Sequence, residues 1–222
     1  MSTNAHDASP AKYSRRAIVS RMVVAAGAAI AVPEAVFRAG FGEEASAATP
    51  DLVTQTLDGL AAFVVPGPDD YSVTQGHSTP EPGAVAAHAG EALVQGLNMA
   101  HASQPTLAAS VAALLNGIAV AVDPTATTGA FQAPFANLAF EEKATVFATL
   151  EQDPQFEHFR PLVGVLPALV AFLAYSEVGV FDPASRTLVA RPVGWEISSY
   201  DGVADGRDEF IGYFENRRKV GA

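Results

Sequence analysis

Hydrophobic residues recur at intervals of three and four from residue 50 onward, the spacing that places them on one face of an α-helix. Thr49 is suited to cap a first helix, with Pro50 in its first turn. The apolar positions that follow are Leu52, Val53, Leu57, Leu60, Ala61 and Val64. Because Pro66-Gly67-Pro68 interrupts this pattern, the sequence predicts a helix that ends before residue 66.

Four more helices are predicted in the rest of the chain, over residues 84–99, 107–122, 135–150 and 162–175. Residues 107–122 are apolar nearly all round, so we expect this helix at the centre of the core. The helix of residues 135–150 is amphipathic. Its inward positions are Leu138, Phe140, Val146, Phe147 and Leu150.

The apolar helix of residues 162–175 could be buried in the protein or lie in a membrane. It is shorter than the ~20 residues that cross a bilayer, and Pro167 should kink it. We therefore expect a buried helix.

Two segments lack helical periodicity. Residues 66–83 are rich in proline and glycine and predict a loop, and residues 178–222 form an irregular, aromatic C-terminal arm in which short strands remain possible. No internal repeat, heptad pattern or regular alternation of strands occurs. The expected fold is all-α, a single compact domain of residues 48–222 with about five helices.

The first 47 residues are typical of a cleavable signal peptide. A polar stretch ends in Ser14-Arg15-Arg16, and a moderately apolar stretch of Ala and Val follows to residue 32. That stretch is too short and too weakly apolar for a stable membrane span. Ala45 and Ala47 supply the small residues that a signal peptidase reads, which predicts cleavage after Ala47.

The pair Arg15-Arg16, followed by apolar residues, matches the twin-arginine export pattern. It predicts a protein that folds before export, with the twin-arginine translocase as a partner and contact with the membrane only during export. The destination is the periplasm, the cell envelope or the medium. The alternatives are an ordinary secretory signal and a basic amphipathic N-terminus.

Charge and composition exclude several classes of function. The formal charge is −11, and from Ala48 onward 20 acidic residues face 8 basic ones, a balance that repels nucleic acids and anionic lipids. The chain has no cysteine, which excludes disulfides, thiolate zinc sites, iron-sulfur clusters and cysteine nucleophiles. We expect no nucleic-acid partner.

Candidate catalytic residues are few. The histidines are His6, His77, His88, His101 and His158. No two of them are four residues apart, the spacing that would place both on one helical face to bind a metal. His88 and Glu91 lie three apart on the predicted second helix, but without a second copy of the pair.

No nucleophile elbow or phosphate-binding loop occurs either. The sequence therefore predicts no catalytic, cofactor-binding or metal-binding residue in this chain. The arm contains the aromatic residues Trp195, Tyr200, Tyr213 and Phe214, which favour a partner interface. They could equally wrap around the chain's own helical core.

The order of these segments resembles the gluconate 2-dehydrogenase subunit 3 family over most of the chain after residue 48. The similar stretches are Leu60-Ala61-Ala62-Phe63-Val64-Val65-Pro66, Pro82-Gly83-Ala84, Tyr175-Ser176-Glu177-Val178-Gly179-Val180-Phe181 and Pro192-Val193-Gly194-Trp195. The resemblance implies a small subunit without catalytic residues. Its implied partner is the large subunit of a flavoprotein dehydrogenase of the glucose-methanol-choline type, which binds FAD and lacks its own export signal.

Three functions are compatible with the sequence. The first is a non-catalytic accessory subunit that escorts and stabilises an exported flavin-dependent oxidoreductase. The second is a stand-alone exported enzyme with a metal on His88, Glu91 and His101. The third is an envelope protein that binds a ligand through residues 66–83 and the arm around Trp195.

Overall fold

A computed structural model describes residues 48–100, 106–182 and 184–200. The predicted signal peptide, with Arg15, Arg16, Ala45 and Ala47, lies outside the described residues. So do His6, His101, Tyr213 and Phe214. About 67% of the described residues are helical, and the only sheet among them is a single two-stranded pairing, which confirms the all-α class.

Five helices longer than ten residues account for about half of the described residues. They are α1 (Pro50–Val64), α3 (Ala89–Ala100), α4 (Leu107–Val122), α6 (Phe140–Gln152) and α7 (Arg160–Ala174). Three shorter helices complete the set: α2 (Asp70–Thr74), α5 (Pro134–Asn137) and α8 (Val193–Ile197). Turns of 3-10 helix cover Pro124–Thr128, Pro154–Phe159 and Val178–Val180.

The core forms where α1 and α4 meet the other long helices. Helix α1 packs against α3, α4, α5 and α7, and α4 also packs against α3 and α6. Twelve of the sixteen residues of α4 are buried, from Leu107 through Ala119, as expected for a helix that is apolar nearly all round. The centre of the bundle is therefore aliphatic and closely packed.

Side-chain caps define where several helices begin. The Oγ1 atom of Thr49 accepts a hydrogen bond from the Leu52 amide at 3.2 Å, and Thr106 caps α4 in the same way through the Ala109 amide at 3.2 Å. Asp69 caps α2 by accepting from the Ser72 amide at 2.9 Å. These contacts satisfy amides that a helix cannot pair internally.

The structure corrects two helix boundaries. The second long helix begins at Ala89 rather than at residue 84, because residues 84–88 form turns and His88 has a left-handed φ of 54°. His88 therefore precedes the helix that carries Glu91. The helix expected over residues 135–150 is broken at Leu138 and Ala139, both in extended conformation, which separates α5 from α6.

The two segments expected to be irregular contain short elements. The loop of residues 66–83 includes α2 and is tied back to α1, because Gln75 donates from its Nε2 atom to the Ala62 carbonyl at 2.9 Å. In the arm, β1 (Phe181–Asp182) pairs antiparallel with β2 (Thr187–Leu188), and α8 follows. The short strands left open by the sequence are present.

Candidate functional site

Helix α7 is buried on one face only. Its inward residues are Leu162, Val163, Leu166, Val170, Leu173 and Ala174. Its outward residues, called here the α7 face, are Pro161, Gly164, Ala168, Phe172 and Tyr175. No charged residue occurs between Arg160 and Glu177, so the outward face is as uncharged as the buried one. The helix is therefore buried on one face, as expected, and exposed on the other.

The α7 face is an exposed apolar surface that ends in aromatic residues. Phe172 is 36% exposed and Tyr175 is 50% exposed. Most lone exposed apolar side chains need no explanation, but a row at spacings of three and four forms a continuous patch. Such patches on folded proteins mark surfaces that another molecule covers.

The described part of the arm extends this patch at the end of α7. Gly194, in α8, packs directly on the backbone of Tyr175, where an added Cβ would lie 2.5 Å from the Tyr175 Cα atom. Trp195 is half-buried and makes an edge contact with Tyr200, with ring centroids 5.2 Å apart. Tyr200 is 44% exposed. The aromatic pair of the arm therefore lies next to the exposed end of the α7 face.

Among the described residues, one helical stretch, Pro154–Ala174, is long and apolar enough to span a membrane. It has 21 residues, and an 18-residue window within it has a mean hydropathy of 1.4. Its inward face belongs to the same core as α1 and α3. Length and hydropathy alone do not distinguish the core helix of a folded protein from a membrane helix.

The histidines and carboxylates do not converge on a metal site within the described residues. His88 and Glu91 do approach each other, with 3.7 Å between the His88 Nδ1 and Glu91 Oε2 atoms, but both side chains are well exposed. The His77 ring packs against Phe140 at a tilt of 44°, with 4.4 Å between ring centroids, and His158 is exposed in a 3-10 turn.

A second group of polar residues, missed in the sequence, lies inside the bundle. Lys143 on α6 is fully buried and donates from Nζ to the Gly59 carbonyl at 3.2 Å and to Gln75 Oε1 at 2.9 Å. Asn116 on α4 is buried as well and donates to Thr56 Oγ1 at 2.8 Å. The signal for Lys143 was its spacing, because it lies three, four and seven residues before Val146, Phe147 and Leu150 on the apolar stripe of α6.

Asp58 is a carboxyl whose pKa is raised by its surroundings. It lies on α1 against Gly90 at the start of α3. Burial, followed by the charges of Glu91 and Asp69, raises the pKa of Asp58 to about 6, and His88 acts in the opposite direction. Burial also raises the pKa of the nearby Tyr71 to about 12, with the charges of Asp58, Asp69 and Asp70 contributing, so its hydroxyl stays protonated.

We expect Asp58→Asn to stabilise the protein at pH 7. A carboxyl whose pKa rises on folding favours the folded state fully below pH 3.8, and this contribution is lost as the pH increases through about 6. Because Asp58 is only partly buried, solvent screening leaves a gain of about 1–2 kcal/mol from its neutralisation at pH 7. Urea unfolding at pH 4 and pH 7 measures it.

The matched control is Asp51→Asn, which removes the same charge from the exposed first turn of α1. Asp51 interacts favourably with the helix N-terminus, so its loss should cost about 0.3–1 kcal/mol at pH 7. Equal stabilisation by both variants would show that net charge alone, and not the location of Asp58, is responsible.

Known proteins offer no assignment for this arrangement. Comparison with protein-family models, with curated protein sequences and with solved structures finds no match. The α7 face, the arm and the export pattern are therefore the features of this chain that bear on its function.

Proposed function

We propose that this chain is a non-catalytic accessory subunit that escorts and stabilises a flavin-dependent oxidoreductase exported through the twin-arginine route. The observation that carries the proposal is the exposed apolar α7 face, which continues into the aromatic pair of the arm. The Arg15-Arg16 pattern supports the export part. The resemblance to the subunit 3 family supports a flavoprotein large subunit, with FAD, as the partner.

The energetics of the α7 face favour a partner protein. Covering apolar surface contributes about 25 cal/mol for each Å² removed from water, so an uncharged helical face is a favourable place for docking. A membrane would cover the same surface. However, α7 cannot enter a bilayer as a spanning helix without removing Leu162, Leu166 and Val170 from the core.

The arm supplies the type of residue that protein interfaces favour. Trp195 and Tyr200 combine a large apolar ring with a polar group, and Arg191 lies over the Trp195 ring at 6.0 Å from its centroid. Tryptophan, tyrosine and arginine are the residues that most often dominate binding energy at interfaces. We place the centre of the contact at the junction of the α7 face and the arm.

The proposal predicts that a reading frame next to the gene of this chain encodes a signal-less flavoprotein. The docking test co-expresses that flavoprotein, carrying a tag, with the double variant Ala168→Glu, Phe172→Glu. Two carboxylates on the α7 face would have to be desolvated in the complex, so co-purification should be lost. The control is Val73→Glu, on α2, where the side chain is 60% exposed. It should co-purify like the wild-type chain.

Two results would overturn the proposal: a double variant that co-purifies as well as the wild type, or a wild-type chain that retains no flavoprotein. The third function, in which residues 66–83 form part of a ligand-binding surface, makes a different prediction. Co-purification that is lost in the Val73→Glu variant but kept in the double variant would favour it.

Export of the partner depends on the signal of this chain in our proposal. Replacing Arg15 and Arg16 together by Lys should leave both proteins, and the flavin-dependent activity, in the cytosol. His158→Ala should leave export unchanged. Cell fractionation with activity assays measures this. Normal export of the flavoprotein with the double Lys variant would contradict the twin-arginine assignment.

A further inference from the structure

Lys143 occupies a position that normally holds an apolar residue. It lies on the buried stripe of α6 with Val146, Phe147 and Leu150, and its own exposed fraction is 0%. Lysine is almost never fully buried unless its charge is paired. The contacts of its amino group therefore decide what this residue does.

The contacts of Lys143 join three parts of the fold. Nζ donates to the Gly59 carbonyl in α1 and to the side-chain oxygen of Gln75, the residue that ends α2. Gln75 in turn donates from Nε2 to the Ala62 carbonyl at 2.9 Å, and its own carbonyl accepts from the Phe140 amide at 3.0 Å. Lys143 and Gln75 together hold residues 66–83 to α1 and α6.

Both hydrogen-bond partners of Lys143 in the described residues are uncharged. A neutral amine has two N–H donors, which matches the two acceptors present, whereas an ammonium has three. The remaining neighbour is the ring of Phe135, with its centroid 5.5 Å from Nζ. The two acceptors therefore match the two N–H groups of the neutral amine, whereas the third N–H of the ammonium meets only the Phe135 ring.

Among the described residues, no carboxylate forms a hydrogen bond with the amino group of Lys143. Asp69 is the carboxylate whose charge acts on it, but Asp69 binds Ser72. Glu142, on the same helix, accepts from the Ala139 amide. The His77 ring packs at a tilt against Phe140. On α1, Asp58 lies against Gly90, and Tyr71 of α2 stacks on Phe131.

We propose that Lys143 is a proton-sensitive clamp, whose neutral form holds the segment of residues 66–83 tightly to the helix bundle and whose protonated form loosens it. This device is independent of the α7 face and of the proposed partner. Burial, opposed by the charge of Asp69, lowers the pKa of Lys143 to about 7, which agrees with the match to the neutral amine.

The direction of the pH effect follows from linkage. Opening of the segment returns Lys143 to water, where its pKa is 10.5, so the open state binds more protons than the closed state between pH 7 and 10.5. The opening equilibrium should therefore fall about tenfold for each pH unit above 7. Below about pH 6.5 both states are protonated, and opening should be independent of pH.

Native-state hydrogen exchange of residues 66–79 between pH 6 and 9.5 tests the clamp, with rates expressed as protection factors to remove the intrinsic pH dependence. Protection in the wild-type protein should be constant up to about pH 6.5 and then rise about tenfold per pH unit. In Lys143→Met, which retains His77 and the carboxylates, the rise should disappear. The same rise in the variant would overturn the proposal.

A second measurement uses the wild-type chain and does not depend on how the variant folds. The chain has three lysines, Lys12, Lys143 and Lys219. With ¹³C-labelled lysine, the Cε resonance of Lys143 should titrate near pH 7, well below the other two. If every lysine resonance titrates only above pH 9, the clamp does not exist.

Discussion

Replacing Gly83 by alanine is expected to destabilise the protein by about 3 kcal/mol, at the upper end of the usual cost of overpacking. A Cβ at this position would lie 2.5 Å from the Val65 carbonyl oxygen, 2.6 Å from the Gly67 amide nitrogen and 2.7 Å from the Pro66 carbonyl carbon. All three are backbone atoms, which cannot rotate out of the way as a side chain does. The two chain segments would have to separate, and the hydrogen bond from the Ala84 amide to the Val65 carbonyl would be lost with them.

Gly164→Ala provides the matched control for Gly83→Ala. Gly164 lies in the interior of α7 on its outward face, and nothing lies within 4 Å of an added Cβ. The same chemical change should therefore stabilise the protein by up to about 1 kcal/mol, because alanine is the better helix former. Urea midpoints of the two variants measure the contrast. A midpoint for Gly83→Ala at or above that of the wild type would refute the proposed close approach.

Replacing Asn116 by leucine should also cost about 3 kcal/mol. The Asn116 side chain donates to Thr56 Oγ1 and accepts from the Phe135 amide at 2.9 Å, which links α4 to α1 and α5. Leucine has a similar size but leaves the buried Phe135 amide without its acceptor. An orphaned buried donor costs about 1–3 kcal/mol, and the altered shape of the side chain adds to this in a closely packed core.

Ser110→Ala on the same helix separates the loss of a buried polar group from the loss of a tertiary link. Ser110 is also buried, but its Oγ atom donates to the carbonyl of Thr106, the N-cap of its own helix. Its replacement should change the free energy of unfolding by less than about 1 kcal/mol. Equal losses in both variants would mean that the link through Asn116 contributes little.

The proposed accessory role makes specific demands on this scaffold. A docking surface binds best when it is held rigid before the partner arrives, because less conformational freedom is then lost on binding. The inward residues of α7 belong to the same core as α1 and α4, and Gly194 attaches the start of α8 to Tyr175. The α7 face is therefore supported from behind by the hydrophobic core.

Helix boundaries were predictable where local chemistry defines them. The limits of α1 follow from Thr49, Pro50 and Pro66, and those of α4 from Thr106 and Asp123-Pro124. The start of α3 was not predictable, because residues 84–88 have good helix-forming composition. Their conformation is decided by the contact of Ala84 with the Val65 carbonyl, from a distant part of the sequence.

The candidate sites were predictable to different degrees. The spacing of Lys143 on the apolar stripe of α6 was enough to predict that it is buried. Its uncharged partners, Gly59 and Gln75, could not be predicted, because they are 84 and 68 residues away in the sequence. For α7, the hydrophobic pattern predicted the helix but not which of its faces is exposed. A helix that is apolar all round does not reveal which of its faces the bundle covers.

By itself the sequence determined the helical class, the position of the long helices and the absence of cysteine chemistry, because periodicity, caps and composition are local properties. Only the tertiary structure decided which apolar face remains exposed, which glycines touch backbone and which polar groups are buried without a counter-ion. Those properties depend on contacts between segments far apart in the chain, and burial and dielectric environment do not exist until those segments pack together.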